Sequence, residues 1–456
     1  MDFVWRKAYK GDASKTARRV TISGLVRSVR KQKHVAFAHI QDGTTYQPIQ
    51  AILDPQLAGS ITNGAYVELS GRWERSKGNG QAYELQVEQI NNIGESNADE
   101  NPIQKQSMAA DYLRTIPHMR MRTPFQSLVA RVRSHLIRGA ADYFDGLSPP
   151  AIQVHPPLIT SSDCEGAGDV FTLSPQSYNS RPESNGCSSS AKDADKPKQF
   201  FRERKYLTVS SQLHLEAWSA ELGNVWTLSP TFRAEESDTS RHLAEFYMLE
   251  AEFRGTDGLE SVTKIAEELI KSLTLDLADH PTGAELLSLY TDRKHRPGDS
   301  EFPDLADRWS RLTAHAFLQR WLVDNLGGGR PIIVTDYPKL QKPFYMLPSC
   351  PDTSKETDTG TVACFDILLP HGYAEVCGGS LREHRLGHLT SSPSYPYLQS
   401  GESLGSLQWY ADLRRFGSSP HGGFGLGFDR LLAYLSGAPS VRDVVGFPRY
   451  WGRADC

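Results

Sequence analysis

The feature that most constrains the fold is a change in hydrophobic periodicity along the chain. Up to residue 93, apolar and polar residues alternate in short runs, whereas from Thr123 onward apolar residues recur every three or four positions. Five strands separated by turns favour a small closed barrel, a fold that often binds oligonucleotides. The chain is therefore predicted to be α+β. The predicted barrel strands are Val20–Val29, Val35–Gln41, Ile49–Leu53, Tyr66–Trp73 and Tyr83–Gln89.

A larger domain is predicted to follow a polar linker. Residues 94–108 lack periodicity and separate a domain of residues 1–93 from one of residues 109–456. Thr123 can cap a helix with Pro124 in its first turn, and this helix should end at Gly146. A strand is predicted from Gln153 to Thr160, and an amphipathic helix from Gly258 to Asp276 is expected to pack outside the sheet of this domain.

Two polar segments interrupt the larger domain. Residues 172–199 hold seven serines and three prolines without apolar periodicity, which predicts a disordered surface insertion. A second loop of this kind is predicted at residues 348–360. No chemistry is assigned to either segment.

Composition and charge exclude several classes of protein. No apolar run approaches the roughly eighteen residues needed to span a bilayer, so no membrane partner is expected. The six cysteines form no Cys-x-x-Cys pair, which argues against a zinc site and a disulfide scaffold and fits a reducing compartment. The net charge of −4 means that any contact with RNA must come from a local basic patch.

A charged hairpin near the middle of the chain carries the densest set of candidate functional groups. Apolar-rich arms flank the polar loop Glu236–Arg241, which predicts an antiparallel pair of strands. Arg233 and Glu235 would share one strand face, where a guanidinium can grip a phosphate and a carboxylate can accept from an amine. Arg241 and His242 suit a terminal phosphate. A surface hairpin with salt bridges would look the same, so the hairpin alone does not decide the function.

Three segments together resemble the signature motifs of class II aminoacyl-tRNA synthetases. Phe232-Arg-Ala-Glu-Glu-Ser-Asp-Thr-Ser-Arg-His-Leu-Ala-Glu-Phe246 resembles motif 2 in its aspartyl/asparaginyl form. His155-Pro-Pro-Leu-Ile159 resembles motif 1, and Gly423-Phe-Gly-Leu-Gly-Phe-Asp-Arg430 resembles motif 3. The resemblance covers nearly the whole chain. It implies an antiparallel catalytic sheet flanked by helices, an N-terminal OB-type anticodon-binding barrel, and a homodimer whose interface includes Pro157.

The resemblance also implies how ATP is bound. Arg233 would hold the α-phosphate and His242 the γ-phosphate, while Phe246 would stack under the adenine and Arg430 would cover it. Arg233 and Arg430 are the expected catalytic residues, because the reaction depends on positioning and charge neutralisation and needs no protein nucleophile. Outside this context, Phe246 would be read as core and Arg430 as a helix salt bridge. The residues implied for ATP are Arg233, Glu235, Arg241, His242, Phe246 and Arg430.

Two carboxylates predict a metal site. Asp366 and Glu375 lie nine residues apart on two predicted strands joined by a Pro-His-Gly turn. Facing carboxylates suit Mg²⁺, which would also bridge ATP phosphates. A lone acidic pair is usually surface, but its place between motifs 2 and 3 resembles the metal-binding acids of the family.

Asparagine is the expected amino acid. By resemblance, Arg382 binds the side-chain oxygen of aspartate or asparagine and therefore does not discriminate between them. Aspartyl enzymes typically carry a lysine at the position of Leu215, and a pocket without that cation disfavours a carboxylate by about a few kcal/mol. Asp429 departs from the glutamate usual in asparaginyl enzymes, which weakens this inference, but direct charge on the substrate side chain is the larger effect.

Three further residues are expected to contact the amino acid. Glu165, in a glycine-rich turn, resembles the residue that receives the α-ammonium group, and Gln212 resembles a second contact. The side-chain amide also needs an acceptor, because leaving a buried polar group unpaired costs roughly 1–3 kcal/mol. Glu235 is the candidate for that acceptor.

The barrel is expected to bind the anticodon of tRNA(Asn). Basic side chains can follow phosphates, an exposed aromatic can stack an unpaired base, and an amide can read its edge. Arg30, Phe37 and Gln50 resemble the anticodon contacts of the family. The alternative is that Phe37 belongs to the barrel core, since alternation along a strand leaves the face undetermined.

Other functions remain open at this stage. They are an aspartyl enzyme, either specific or charging both tRNAs, an ammonia-dependent asparagine synthetase on the same catalytic core, and a catalytically silent RNA-binding paralogue. The location is also open. Residues 1–20 carry six basic residues against two acidic ones, which fits an organellar transit peptide or a solvated tail. The segments at 412–417 and 420–424 resemble the bacterial and mitochondrial branch, so a mitochondrial location is expected, with a cytoplasmic one as the alternative.

Overall fold

A computed structural model gives the fold. It describes residues 18–78, 80–103, 108–161, 170–174, 200–201, 204–291, 305–313, 318–319, 330–350, 360–391 and 407–456. The chain divides into two compact units. One comprises residues 1–135, 277–302 and 455–456, and the other residues 136–276 and 303–454. The predicted insertion beyond residue 174 and the N-terminal basic segment up to residue 17 lie outside the described residues.

The first unit contains the predicted barrel. Its five strands close in the order β1-β2-β3-β5-β4, which confirms the fold expected from the alternating pattern. The apolar residues of each strand that point inward, among them Ile22, Ala38 and Leu69, form one buried cluster. The strands are β1 (Arg18–Lys31), β2 (Ala36–Gln41), β3 (Ile49–Leu53), β4 (Tyr66–Arg75) and β5 (Tyr83–Gly94).

Three helices follow the barrel. They are α1 (Ala110–Thr115), α2 (Pro117–Arg120) and α3 (Pro124–Asp145). Helix α3 begins and ends where the sequence predicts, because Pro124 is preorganised for a first turn and the Thr123 hydroxyl accepts a bond from the Gln126 N–H at 3.5 Å. Its predicted apolar face is fully buried at Leu128, Val132, Leu136, Ala140 and Phe144.

The second unit is built on an eight-stranded mixed sheet with an antiparallel centre. Its strand order is β11-β12-β13-β14-β15-β10-β9-β6, and the short strands β7 and β8 pair separately. Strands β9 and β10 form the predicted hairpin. The strands are β6 (Ile152–Gln153), β7 (Ile159–Thr160), β8 (Tyr206–Leu207), β9 (Val225–Phe232), β10 (Glu245–Arg254), β11 (Leu318–Gln319), β12 (Ile332–Thr335), β13 (Cys364–Leu369), β14 (Ala374–Leu381) and β15 (His421–Gly427).

The single strand predicted from Gln153 to Thr160 is wrong in its middle. Strand β6 ends at Gln153 and β7 begins at Ile159, and residues 154–158 between them are not in a strand. Pro156 and Pro157 explain the break, because proline has no N–H to donate to a strand ladder.

The remaining helices are divided between the two units, and α6 belongs to the first. The predicted amphipathic helix is observed as α5 and buries its apolar face, including Val262, Ala266 and Leu273. None of the helices in the described part of the chain is long and apolar enough to cross a membrane. The helices are α4 (Gln212–Leu222), α5 (Leu259–Asp279), α6 (Pro281–Thr291), α7 (Leu305–Thr313), α8 (Leu386–Ser391), α9 (Gln408–Arg415) and α10 (Phe428–Ser436).

Candidate active site

The β9–β10 hairpin and the turn from β15 into α10 line a first cavity, here called the arginine-rich pocket. It brings together all six residues predicted for ATP, although motifs 2 and 3 are far apart in sequence. Arg233 and Glu235 lie just beyond the end of β9 and not on the strand itself. Their side chains are nevertheless neighbours, with Nη1 of Arg233 4.0 Å from Oε1 of Glu235. The predicted lining residues are Arg233, Glu235, Arg241, His242, Phe246 and Arg430.

Phe246 lies at the base of this pocket. It is partly exposed on β10, and the Arg233 guanidinium lies 5.6 Å from the centre of its ring. A guanidinium within about 6 Å of a ring centre is attracted to the ring face, and the ring also offers a stacking surface. Phe246 is therefore not a residue of the buried core.

Arg430 is positioned by backbone contacts from both sides of the pocket. Its guanidinium donates to the carbonyl of Glu375 on β14 and, at 3.4 Å, to the carbonyl of Arg241. Its neighbour Asp429 accepts a hydrogen bond of 2.7 Å from the Tyr247 N–H, which ties α10 to β10. The bonds of Arg430 and Asp429 fix the motif 3 helix against the hairpin.

Three arginines, His242 and three acids (Glu235, Glu375 and Asp429) line the arginine-rich pocket. Burial lowers the pKa of Arg430, and Arg241 and Arg233 lower it further against the opposing effects of Glu375 and Glu235. The pKa of His242 is also lowered, first by burial and then by the three arginines, against the opposing effect of Glu235. Such mutual repulsion is relieved when a polyanion enters, so the site is prepared for a triphosphate.

Asp366 and Glu375 face each other beside this pocket, as predicted. A Cβ atom added at Gly378 would lie 3.1 Å from Oδ1 of Asp366 and 3.2 Å from Oε1 of Glu375, so both carboxylates cover the same glycine. Burial and the charge of Asp366 raise the pKa of Glu375. Lys342 already donates to Asp366 at 3.1 Å. Two neighbouring acids, one of them paired with a lysine, fit a hard divalent cation that would share or displace that lysine.

A second cavity, here called the Arg382 pocket, adjoins the first. The two share Arg233, Met248, Glu375 and Gly425 among their lining residues. The predicted amino-acid residues Gln212, Leu215 and Arg382 all line it. Leu215 is also packed against Val154 and Val225. An apolar side chain therefore occupies the position where a lysine would favour aspartate.

The wall of the Arg382 pocket is a buried network of charges. Arg382 pairs with Glu252 through two bonds of 3.1 and 3.0 Å, and it lies 3.9 Å from Glu216. Glu216 is fully buried and accepts from Arg414 at 2.5 Å and from the Tyr410 hydroxyl at 2.8 Å. The charge of Arg382 is therefore already neutralised within the protein. A substrate carboxylate would find no unpaired cation there, whereas an amide could still bond.

Sequence reasoning missed this network. Glu216, which follows Leu215 directly, and Glu252 were assigned no role, and Arg414 entered only as part of the segment at 412–417. An acid at the end of an apolar strand and a charged residue on the inner face of a helix are signals of buried ion pairs. Gly423 is a further signal of a buried charge at this place, because a Cβ atom there would clash with the Glu252 carboxylate.

Glu235 does not lie where the amide acceptor was expected. It lines the arginine-rich pocket, where it also faces His242 at 3.6 Å, and it is not among the described residues that line the Arg382 pocket. The acids that line the Arg382 pocket are Glu250, Glu252, Asp366 and Glu375, and Glu216 lies 3.9 Å from Arg382. Glu250 is engaged by the Ser210 hydroxyl at 2.5 Å and the Ser211 N–H at 2.9 Å. Glu165 lies outside the described residues.

The three residues predicted to contact the anticodon lie together on the outer face of the barrel. Phe37 alternates with the buried residues Ala36 and Ala38, so it faces outward and is not core. Arg30 pairs directly with Phe37 across β1 and β2. Gln50 lies on β3 and pairs with His39 of β2. Its side-chain amide donates to Glu84 at 3.1 Å.

Two family models match this chain. The one described as "tRNA synthetases class II (D, K and N)" matches residues 110–450. The other, described as "OB-fold nucleic acid binding domain", matches residues 20–93. Together they account for the second unit and for the barrel.

Similar proteins of known name share nearly the full length. The mitochondrial asparagine–tRNA ligase of Schizosaccharomyces pombe is 38% identical over 464 residues, covering 98% of this chain and 96% of that protein. The human asparaginyl-tRNA synthetase is 35% identical, covering 96% and 92%. Among solved structures, the asparaginyl-tRNA synthetase of Pyrococcus horikoshii in complex with asparaginyl-adenylate aligns with a TM-score of 0.76 at 26% identity, covering 96% of each chain.

Proposed function

The chain belongs to the class II tRNA synthetases of the aspartate, lysine and asparagine group, and from that premise we propose that it ligates asparagine to tRNA(Asn). One observation carries the proposal. A pocket rich in arginine adjoins a pocket whose arginine is neutralised by buried acids, and the two share Arg233. The first suits ATP and the second suits a neutral amide. The named relatives, at 35–38% identity over nearly the whole chain, support the same amino acid.

The reaction proceeds in two steps. The asparagine carboxylate attacks the α-phosphate of ATP, releasing pyrophosphate and forming asparaginyl-adenylate, and the terminal hydroxyl of the tRNA then attacks the adenylate carbonyl and releases AMP. Arg233 stands where the two pockets meet and would neutralise the charge that develops on the α-phosphate. Phe246 and Arg430 would hold the adenine between them, and His242 would reach the terminal phosphate.

Mg²⁺ is proposed to bind Asp366 and Glu375. A divalent cation bound there would neutralise phosphate charge and orient the leaving pyrophosphate. The raised pKa of Glu375 supports this site, because the mutual repulsion of the two acids is relieved by a cation. Lys342 supplies the balancing charge in the protein itself.

Selection of asparagine is proposed to rest on charge balance around Arg382. Glu252 and Glu216 compensate Arg382 and Arg414, and Leu215 adds no cation. Aspartate would bring an unpaired negative charge into this setting. We propose that Gln212 orients the substrate, and that Glu252, in place of Glu235, faces the side-chain amide. Glu165 remains the proposed partner of the α-ammonium group on sequence grounds alone.

Amino-acid-dependent exchange of pyrophosphate into ATP tests the proposal. The enzyme should catalyse exchange with asparagine and much less with aspartate. Arg233→Ala should abolish the exchange, because the α-phosphate loses its counter-charge. Arg415→Ala is the matched control, since that arginine is exposed and forms its ion pair with Asp412, away from both pockets. Exchange retained in Arg233→Ala, or exchange with aspartate alone, would overturn the assignment.

The barrel is proposed to bind the anticodon through Arg30, Phe37 and Gln50. The outward orientation of Phe37 and its pairing with Arg30 support a stacking platform beside a cation. The match to a nucleic-acid-binding OB-fold model supports the same surface.

We also propose that two copies of the chain form a dimer through the motif 1 region. Pro157 is exposed, and the large apolar side chains of Ile159, Ile152 and Trp218 are 44%, 47% and 45% exposed, so a partner copy could cover them. Light scattering should give about twice the 50.8 kDa of one chain, and Ile159→Asp should shift the protein toward the monomer.

A mitochondrial location is proposed from the basic residues among positions 1–20 and from the name of the fission yeast relative. Residues 1–30 fused to a fluorescent reporter should enter mitochondria. A reporter that stays in the cytoplasm would favour the alternative.

A further inference from the structure

Lys342 lies beside the two acids that are proposed to bind Mg²⁺. It follows the short turn Lys339–Gln341 between β12 and β13, and it lines the Arg382 pocket. Its Nζ lies 3.1 Å from Oδ2 and 3.4 Å from Oδ1 of Asp366. The two side chains are 19% and 11% exposed, so water screens this ion pair only weakly. The lysine therefore holds both oxygens of an acid that a metal would need.

Tyr337 is a second partner of the same ammonium group. Nζ of Lys342 lies 4.0 Å from the centre of the Tyr337 ring, which is a cation–π contact. The Tyr337 side chain also forms a hydrogen bond with Asp366. A carboxylate and an aromatic ring together fix the position of the ammonium group.

Other cations also act on the two acids. Glu375 interacts electrostatically with Asp366, and with the three cations Lys342, Arg430 and Arg233. In this set the cations outnumber the acids. The net charge of these five groups therefore does not attract a free divalent cation.

ATP would change this balance. Its phosphates would neutralise Arg233 and Arg430 in the arginine-rich pocket. Mg²⁺ prefers octahedral coordination by oxygen and is commonly held by one or two carboxylates together with substrate phosphates. Asp366 and Glu375 offer a free ion only part of this coordination. Nucleotide and metal together supply what the metal alone lacks.

We propose that Lys342 excludes free Mg²⁺ from Asp366, so that the metal binds together with the phosphates of ATP and not before them. The proposal deepens the metal site put forward above and rests on it. When metal and nucleotide enter, the carboxylate passes to the metal and the ammonium group keeps the Tyr337 ring as its partner. Lys342 is a positioning residue that acts through Asp366.

Metal binding in the absence of nucleotide tests this role. Mn²⁺ replaces Mg²⁺ as a paramagnetic probe, and EPR measures the free ion while the full-length enzyme is titrated at pH 7.5 without ATP or asparagine. The wild type should bind Mn²⁺ weakly. Lys342→Met keeps the length of the side chain and removes its charge. This variant should bind one Mn²⁺ at least about tenfold more tightly, because a positive charge close to the metal is removed.

Further variants separate the charge of Lys342 from its packing. Lys342→Arg keeps the positive charge and should bind Mn²⁺ as weakly as the wild type, and Lys342→Gln is a second neutral variant if Lys342→Met does not fold. Lys339→Met is the matched control, since Lys339 begins the same turn but is not among the described residues that line either pocket. The double variant Lys342→Met/Asp366→Asn should lose the tight site, because the released carboxylate is gone.

Four results would overturn the inference. They are tight binding of Mn²⁺ to the wild type without nucleotide, unchanged binding in the neutral Lys342 variants, an equal gain in Lys339→Met, and a tight site retained in the double variant. Failure of the proposed function is a separate result, in which the wild type supplied with Mg²⁺ and ATP shows no asparagine-dependent exchange.

Discussion

Arg414 and Arg415 are adjacent on α9 and offer a direct measure of what the buried charge network contributes to stability. The Arg414 side chain is 1% exposed and pairs with the fully buried Glu216, while the Arg415 side chain is 48% exposed and pairs with Asp412. Replacing each by methionine removes the charge and keeps most of the apolar stem. We expect Arg414→Met to reduce the free energy of unfolding by about 3–5 kcal/mol, since a buried carboxylate loses its partner. Arg415→Met should cost about 0.2–1 kcal/mol.

The loss at Arg414 should also depend on pH. Burial would raise the pKa of Glu216, but Arg414, with His421 and Arg382, holds it far below its ordinary value of 4.5. A lowered pKa in the folded state stabilises the protein at pH values above 4.5, and that contribution is lost as the pH falls through the folded-state value. The difference between wild type and Arg414→Met should therefore be largest near neutral pH and should shrink below about pH 4.5.

Urea unfolding at pH 7.5 and at pH 4, with midpoints compared at equal slopes, measures both effects. In the double variant Glu216→Gln/Arg414→Met, the combined loss should be smaller than the sum of the single losses, because each removes the same pair. Equal losses for Arg414→Met and Arg415→Met, or additive losses in the double variant, would refute the view that the buried pair stabilises the fold.

Three further predictions concern function. Leu215→Lys should shift exchange from asparagine toward aspartate by about tenfold or more, since it places a cation in the Arg382 pocket; Leu215→Met, which adds no charge, should not change the ratio of kcat/KM values. Asp366→Asn should raise the Mg²⁺ concentration needed for half-maximal exchange severalfold. In the wild type that concentration should also rise as the pH falls through the raised pKa of Glu375, because the proton competes with the metal. An unchanged Mg²⁺ dependence would contradict the site. Phe37→Ala should weaken tRNA binding by about 1–3 kcal/mol in a filter-binding assay while leaving asparagine-dependent exchange intact, and a loss of exchange would point instead to damage to the fold.

Local patterns determined much of this protein. Alternation of apolar residues predicted the five barrel strands, and helical spacing predicted α3 and α5, because such patterns record which side of an element is buried. The motif segments also predicted the arginine-rich pocket residue by residue, since their side chains protrude from one hairpin and one strand-to-helix turn. The double proline at 156–157 was the local signal that should have divided the predicted strand.

Only the tertiary structure decided the rest. In the structure Phe37 faces outward, whereas alternation alone leaves the side of the strand undetermined. Glu235 lies in the arginine-rich pocket and not at the proposed amide site. Above all, the tertiary structure joined Glu216 to Arg414 and His421, which are 198 and 205 residues away along the chain. The sequence position of a charged residue does not show which residue it will pair with in the fold. The pairing follows from how α4, α9 and β15 pack, and burial then requires that each charge be matched.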